Sequence, residues 1–332
     1  MPFEIYNWGE ISGNYGGTLL LGNGASRAVD ARFGYRSLLE YASYHGLLSD
    51  DVQRLFEYFE TEDFELILRL VWHASNVNQS LGIPDDRTRN AYVRVRDSLI
   101  STVRDIHPEH QEVYWQLPTI YNFVKNFDTA ITLNYDLILY WVIMYGQEIF
   151  DGASLKDCFI HGEFDENWRR LRQPIRGHTS STLAFYPHGN LVLARNFIGS
   201  EGKLVGRGEA LLESILDAWE TGRYVPLFVS EGTAAQKVNS IRSSGYLSTV
   251  YREVFTSLSP DLVIYGWGLW EQDLYILDPM HSSNLKRVAC SVYGDDQAYC
   301  NRVYQIIRQN LGPEVYVEFF YSDSPGCWNN GA

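Results

Sequence analysis

The sequence predicts an α/β fold in which a parallel sheet is covered by helices on both faces. Three observations carry this. Short apolar runs close on glycine or on an Asn-bearing turn, helical stretches lie between most of them, and neither a repeat nor a Pro/Gly/Ser linker divides the 332 residues. Strands that alternate with helices point to parallel pairing, because each parallel crossover has to travel back along the sheet, usually as a helix. A chain of this length can bury a substantial core.

The first strand is Thr18-Leu-Leu-Leu-Gly22, and Asn23-Gly-Ala-Ser26 follows it as a tight glycine turn. From about 35 to 127 the pattern is helical. Val52, Leu55, Phe56 and Phe59 fall at i, i+3, i+4 and i+7, and Phe64, Ile67, Leu68 and Val71 repeat the spacing. Further helices are predicted over 89–106 and 111–126. Strands return at 129–133, 183–186, 225–229, 262–265, 288–292 and 315–320, with helices at 137–145, 208–222, 245–257, 272–279 and 296–311. The last helix places Tyr299, Val303, Ile306 and Ile307 on one face and ends at Gly312, a residue suited to the C-terminal cap. The expectation is one Rossmann-like domain over 1–332, with a helical insertion at about 35–127 and a loop-rich excursion at about 147–207.

Composition removes several classes of function. With 27 Lys+Arg against 41 Asp+Glu, the formal charge of −14 repels a phosphate backbone, so nucleic acid is not expected as a partner. The apolar run 137–146 is shorter than the roughly 18 residues of a membrane span, and no basic flank with an apolar stretch opens the chain; a cytoplasmic protein is expected. Cys158, Cys290, Cys300 and Cys327 form no C-x-x-C pair, so no zinc ribbon is expected and reduced thiols fit best. In Ile106-His-Pro-Glu-His110 the two histidines have no second cluster nearby, and they are read as a solvated helix start with no metal.

Open parallel sheets bind ligands beyond the carboxyl ends of their strands. Five groups fall there: Gly22-Asn-Gly-Ala-Ser26, Thr132-Leu-Asn-Tyr-Asp136, Tyr186-Pro-His-Gly189, Tyr265-Gly-Trp-Gly268 and Val229-Ser-Glu-Gly-Thr233. Each has a structural alternative. The first can be a plain turn, Asn134 an N-cap, His188 a turn histidine, Trp267 a core aromatic, and Gly266 and Gly268 a means of close packing. Their coincidence on one predicted edge is what favours a site.

The series G-x-G-x-S, T-x-N-Y-D, H-G, P-L-F-V-S-E-G and G-x-G resembles, in order and over about 18–293, the NAD-binding fold of sirtuins. It looks most like short prokaryotic sirtuin-like effectors of anti-phage defence, a branch of which was long filed as a domain of unknown function. The resemblance implies hydrolysis of NAD⁺ to nicotinamide and ADP-ribose, with NAD⁺ as substrate and no resident cofactor. Carried over, Gly22, Asn23, Gly24, Ala25 and Ser26 would hold the phosphates, Asn134 and Asp136 the ribose, and His188 would be the catalytic base. Glu231 corresponds to a short F-G-E segment, and Gly266, Trp267 and Gly268 to the loop beside adenosine. The four zinc cysteines of sirtuins proper have no counterpart in this sequence, which puts protein deacylation in doubt. A second pair, His161-Gly162, competes with His188, but it stands in a loop-like acidic stretch.

The departing nicotinamide leaves neutral, so one base and good positioning can suffice, unlike the paired carboxylates of ordinary glycosidases. A neutral His188 can accept a proton from water or a ribose hydroxyl, and Asn134 offers both a donor and an acceptor. The competing reading is a catalytically idle module that senses NAD⁺ or ADP-ribose within a defence assembly. A dehydrogenase ranks last, since the stretch after the first glycine turn is helical and does not form a βαβ unit. Control is expected from outside the chain, through a homo-oligomer or a separately encoded sensor such as a purine-triphosphate pyrophosphatase-like subunit.

Overall fold

The computed structural model describes residues 2–34, 37–175, 177–196, 198–204, 210–229 and 231–331. The strands in chain order are β1 Ile5–Tyr6, β2 Thr18–Leu21, β3 Thr129–Thr132, β4 Ala153–Lys156, β5 Phe159–Ile160, β6 Glu163–Phe164 and β7 Ser180–Phe185. They continue with β8 Gly189–Asn196, β9 Glu201–Lys203, β10 Tyr224–Phe228, β11 Asp261–Tyr265, β12 Arg287–Val292 and β13 Tyr316–Tyr321. Among the described residues, eight of these form one sheet in the order β1-β13-β12-β11-β2-β3-β7-β4, and every pairing in it is parallel. β2 and β3 are buried along their whole length, as strands covered on both faces must be. The α/β class and the Rossmann-like parallel sheet expected from the sequence are both present.

Strand order places the ligand edge. After β2 the chain moves to β3, β7 and β4 on one side, whereas β11, β12 and β13 build out on the other. The order therefore reverses between β2 and β11, and parallel pairing puts the carboxyl ends of β11, β2, β3 and β7 side by side. Such reversals are where open α/β sheets bind ligands.

Between β2 and β3 run the helices Leu38–Tyr44, Asp50–Tyr58, Phe64–Ser80, Asp86–Ile106 and Leu117–Val124. Asp63 caps one of them by accepting from Leu66 N at 3.2 Å, and Asp85 caps the next by accepting from Arg87 N at 3.0 Å. Residues 35 and 36, where the insertion was expected to begin, lie outside the described residues. So do 208 and 209 at the start of the helix expected over 208–222, which is seen as Leu211–Glu220, and 205–207 at the end of the excursion.

Three expectations are corrected. The segment 225–229 does not join the parallel sheet; β10 pairs antiparallel with β8 in a separate sheet ordered β10-β8-β9. Pro226 supplies the reason, since it lacks an N–H and is tolerated only at a sheet edge, and the register shifts beside it. The excursion at 147–207 is strand-rich rather than loop-rich, carrying β4 to β9. His107 is not solvated: its ring is buried, Nδ1–H donates to Pro108 O at 2.8 Å and Nε2 accepts from Leu137 N at 3.0 Å. That ring holds the start of helix Ile138–Gln147.

Candidate functional site at the sheet reversal

The two glycine turns meet backbone to backbone. Gly22 N donates to Tyr265 O at 2.9 Å and Gly24 N to Gly266 O at 2.7 Å. A Cβ on Gly22 would stand 2.5 Å from Trp267 Cα, and one on Gly266, whose φ is +68°, would stand 2.4 Å from Ala25 N. No side chain fits there, so glycine is required for the loops to touch. The same contacts take up two amides of the expected phosphate loop, and Ala25 N bonds Gly22 O at 2.9 Å. Asn23 is exposed above the turn. Beneath helix Asn23–Val29, the buried Trp328 donates Nε1–H to Ala25 O at 2.8 Å.

The β3 turn is bound to this loop by a chain of side chains. Asn134 Nδ2 donates to Gly22 O at 2.9 Å and to Ser26 Oγ at 2.7 Å. Ser26 in turn donates to Asp136 Oδ2, and Asp136 Oδ1 accepts from Ile138 N at 2.8 Å. Burial pushes the Asp136 carboxyl upward, opposed by those two donors. Both amide protons of Asn134 are thus engaged, which leaves its carbonyl oxygen as the acceptor it can offer a ligand.

His188 lies one connection further along, after β7. Its Nδ1 is 3.1 Å from Leu133 O, and since a carbonyl only accepts, Nδ1 carries the proton. Nε2 is then the acceptor, and the Tyr275 hydroxyl donates to it at 2.5 Å. The ring is buried at 4% exposure. Burial first and the Lys237 ammonium second push its pKa down to about 4, opposed by Asp273. Lys237 Nζ is itself paired with Asp273 Oδ1 at 2.8 Å.

Glu231 stands apart from this network. Its carboxylate accepts from Leu38 N at the head of helix Leu38–Tyr44, while Oε2 is buried without a partner, and burial pushes the pKa up to about 8. Two residues before it, Val229 N donates to His188 O at 2.7 Å. Trp267 is buried with Nε1 unpartnered, and its carbonyl accepts from Tyr299 OH at 2.9 Å. The Gly268 carbonyl is held by Arg302 Nη1 at 2.8 Å. The competing His161 is exposed, and with Gly162 it makes the two-residue turn between β5 and β6, both with positive φ (54° and 86°), as a type I′ hairpin demands.

The structure therefore joins Gly22, Gly24, Ala25, Ser26, Asn134, Asp136, Gly266 and Trp267 directly, and brings in His188 through Leu133. Sequence reading missed Tyr275, Lys237, Asp273 and Asn190. The first three carry no local signal. Asn190, fully buried and donating Nδ2–H to Asp136 O, directly follows the His-Gly pair and was legible as a polar residue heading an apolar run.

Over residues 19–328 the chain matches a family described as a domain of unknown function, DUF4917. The chain belongs to the DUF4917 family. No curated protein matches it in sequence. In this DUF4917 chain the match begins inside β2 and runs to Trp328, so it takes in every residue of the reversal-point network. Among the described residues of the DUF4917 fold, no group of three or more His, Cys, Asp or Glu side chains is placed to hold a metal, and no helix is long and apolar enough to cross a membrane. The four cysteines are free and buried. Two grooves of about 360 and 350 Å³ occur elsewhere, and none of the site residues lines either one.

Proposed function

We propose that this DUF4917 protein is an NAD⁺ glycohydrolase that cleaves the nicotinamide–ribose bond at the β2/β11 reversal, in keeping with its resemblance to sirtuin-like defence effectors. The observation that carries the reading is His188: a neutral imidazole with its acceptor nitrogen fixed, hung from the carbonyl next to Asn134 and beside two glycine turns. Nicotinamide is expelled as a neutral leaving group, so the site needs a proton acceptor for water or a ribose hydroxyl and no strong acid. His188 Nε2 supplies the acceptor once the Tyr275 hydroxyl that fills its lone pair gives way to substrate, Asn134 Oδ1 orients the attacking or ribose hydroxyl, and the glycine turns bear the diphosphate side of the substrate. Glu231, Gly266, Trp267 and Gly268 belong to the wall around the rest of the dinucleotide. NAD⁺ is substrate rather than resident cofactor.

The reading extends to an NAD-depleting role in antiviral defence in the cytoplasm, held in check by self-assembly or by a separate sensor of the purine-triphosphate pyrophosphatase type. Unchecked NAD⁺ hydrolysis would kill the host. A second reading, an idle NAD⁺ or ADP-ribose sensor, is favoured by one observation: Asn134 already has a structural task in holding the glycine loop.

Incubation with NAD⁺ and chromatography for nicotinamide and ADP-ribose separates the two. His188→Ala and Asn134→Ala should each lower hydrolysis by roughly 10²-fold or more, and His161→Ala should do little. A requirement for acylated peptide, or loss at His161 with none at His188, overturns the assignment.

A further inference from the structure

We propose that the two grooves meeting at Gly245 and Thr249 form one cleft that binds a guanine mononucleotide, its phosphate in an arginine lobe and its base in an aromatic lobe. The lobes measure about 360 and 350 Å³, and Gly245 and Thr249 line both. Each alone is near the lower end of small-molecule sites, roughly 300–1,000 Å³. Gly245 leaves the junction open, since a Cβ there would meet only Glu201 Oε2, at 3.7 Å. None of the residues at the sheet reversal borders this cleft, so the inference stands apart from the proposed activity.

The first lobe suits an anion. Arg242 and Arg252 line it, both are exposed, and among the described residues neither guanidinium is paired with a carboxylate. Glu253 also lines the lobe but is engaged by Arg169 at 2.7 Å. Glu201, at the junction, is engaged too: Oε1 accepts from Arg195 at 2.8 Å, and Oε2 accepts from Ser244 Oγ at 2.8 Å and Tyr246 N at 3.0 Å. Two unneutralised guanidiniums therefore make a cationic spot on a chain of formal charge −14. Guanidinium N–H groups match phosphate oxygens in pairs, which makes phosphate the fitting anion.

The second lobe suits a flat ring. Phe159, Phe164 and Tyr246 pack with centroids 4.8–5.6 Å apart, beside the buried Leu193 and Leu227. The Tyr246 hydroxyl accepts from Tyr186 N at 3.0 Å, which fixes this wall before a ligand arrives. Aromatic walls of this kind hold nucleobases by stacking and edge contacts. Glu163 and Glu166 also line the lobe, exposed and with side chains unpartnered among the described residues. An ionised carboxylate only accepts, so it favours a base edge made of adjacent donors. Guanine presents N1–H beside its N2 amino group, whereas adenine presents the acceptor N1 beside its amino group. The same carboxylates repel phosphate, so the charge of the cleft orients the ligand with its phosphate toward Arg242 and Arg252.

The test is calorimetric titration of the full chain at low salt with guanosine monophosphate (GMP), adenosine monophosphate (AMP), guanosine and inorganic phosphate. Arg252→Met and Glu163→Gln are the variants; both side chains are exposed and unpaired, so each substitution should leave the fold intact. GMP should bind with a Kd below about 1 mM. AMP, guanosine and phosphate should each bind at least about tenfold more weakly, the scale of one charge-assisted hydrogen bond. Arg252→Met should weaken GMP by about tenfold and leave guanosine unchanged. Glu163→Gln should weaken GMP and guanosine alike and leave phosphate unchanged. Phosphate bound as tightly as GMP would reduce the cleft to an anion spot and overturn the proposal, and AMP bound as tightly as GMP would overturn the assignment of the base. Absence of GMP binding, or GMP binding indifferent to both variants, refutes it outright. The titration uses no NAD⁺, so a chain that never hydrolyses NAD⁺ would defeat the proposed activity and leave this result standing.

Discussion

Gly266→Ala should be the most damaging small substitution at the sheet reversal. Its backbone is left-handed, at φ +68°, and the added methyl would stand 2.4 Å from Ala25 N, 2.6 Å from Gly24 C and 2.8 Å from Gly24 Cα. The left-handed conformation costs an L-residue about 1–2 kcal/mol. The neighbours are backbone atoms that cannot rotate aside, so the loops must part, at an overpacking cost of about 1–3 kcal/mol. Together these come to about 2–5 kcal/mol. Parting also stretches the 2.7 Å bond from Gly24 N to Gly266 O. Gly22→Ala isolates the second effect, because its φ is −105° and only crowding remains, 2.5 Å from Trp267 Cα, 2.6 Å from Trp267 Cβ and 2.8 Å from Gly266 O, so about 1–3 kcal/mol is expected. Gly13→Ala is the control. Nothing lies within 4 Å of its new methyl, and a change within about 0.5 kcal/mol is expected. Urea unfolding with fitted slopes gives all three numbers, provided the slope is unchanged. The reasoning fails if Gly266→Ala lies within 0.5 kcal/mol of wild type, or if Gly13→Ala costs as much as Gly266→Ala.

Glu231→Gln should be more stable than wild type at pH 8.5 and nearly equal to it at pH 4, measured by denaturant midpoints across pH. The folded carboxyl is raised to about 8 from an ordinary 4.5, so its contribution is fully present below 4.5 and is lost as pH rises through 8; the gap should exceed about 1.4 kcal/mol, one pKa unit's worth, and a flat difference would refute it. His107→Leu strips the acceptor from Leu137 N and should cost about 1–3 kcal/mol at pH 7. Because the His107 ring is depressed to about 4, wild type also loses stability as pH falls from about 6.5 toward 4, and the variant should lose less; parallel pH curves would contradict this. Size measurement of the protein with and without its co-expressed genomic neighbours should reveal an assembly, and a monomer fully active alone with no growth defect would remove the need for external control.

Much of the edge was legible locally. β2, β3, β7 and β11 announce themselves as short apolar runs, and the residues that follow them, Gly22, Asn134, His188 and Gly266, are turn formers or polar groups that a buried strand would not tolerate. The run Leu191-Val-Leu-Ala194 carries the same signature, a short apolar stretch buried nearly throughout as β8, although the sequence expectation places it in a loop-rich excursion.

The sequence by itself determined which residues end strands, which helices carry apolar faces, and that the class is α/β, since these depend on periods of two or 3.6 residues within one element. Tertiary structure decided that β2 sits between β11 and β3, that Pro226 sends β10 to a separate sheet, and that the partner of His188 is Tyr275. It also decided that Glu231 reaches Leu38 across 193 residues. Pairing order and buried hydrogen bonds are settled by competition among distant segments for the same edges and donors, and a contact between residues far apart in the chain leaves no periodic trace in either of them.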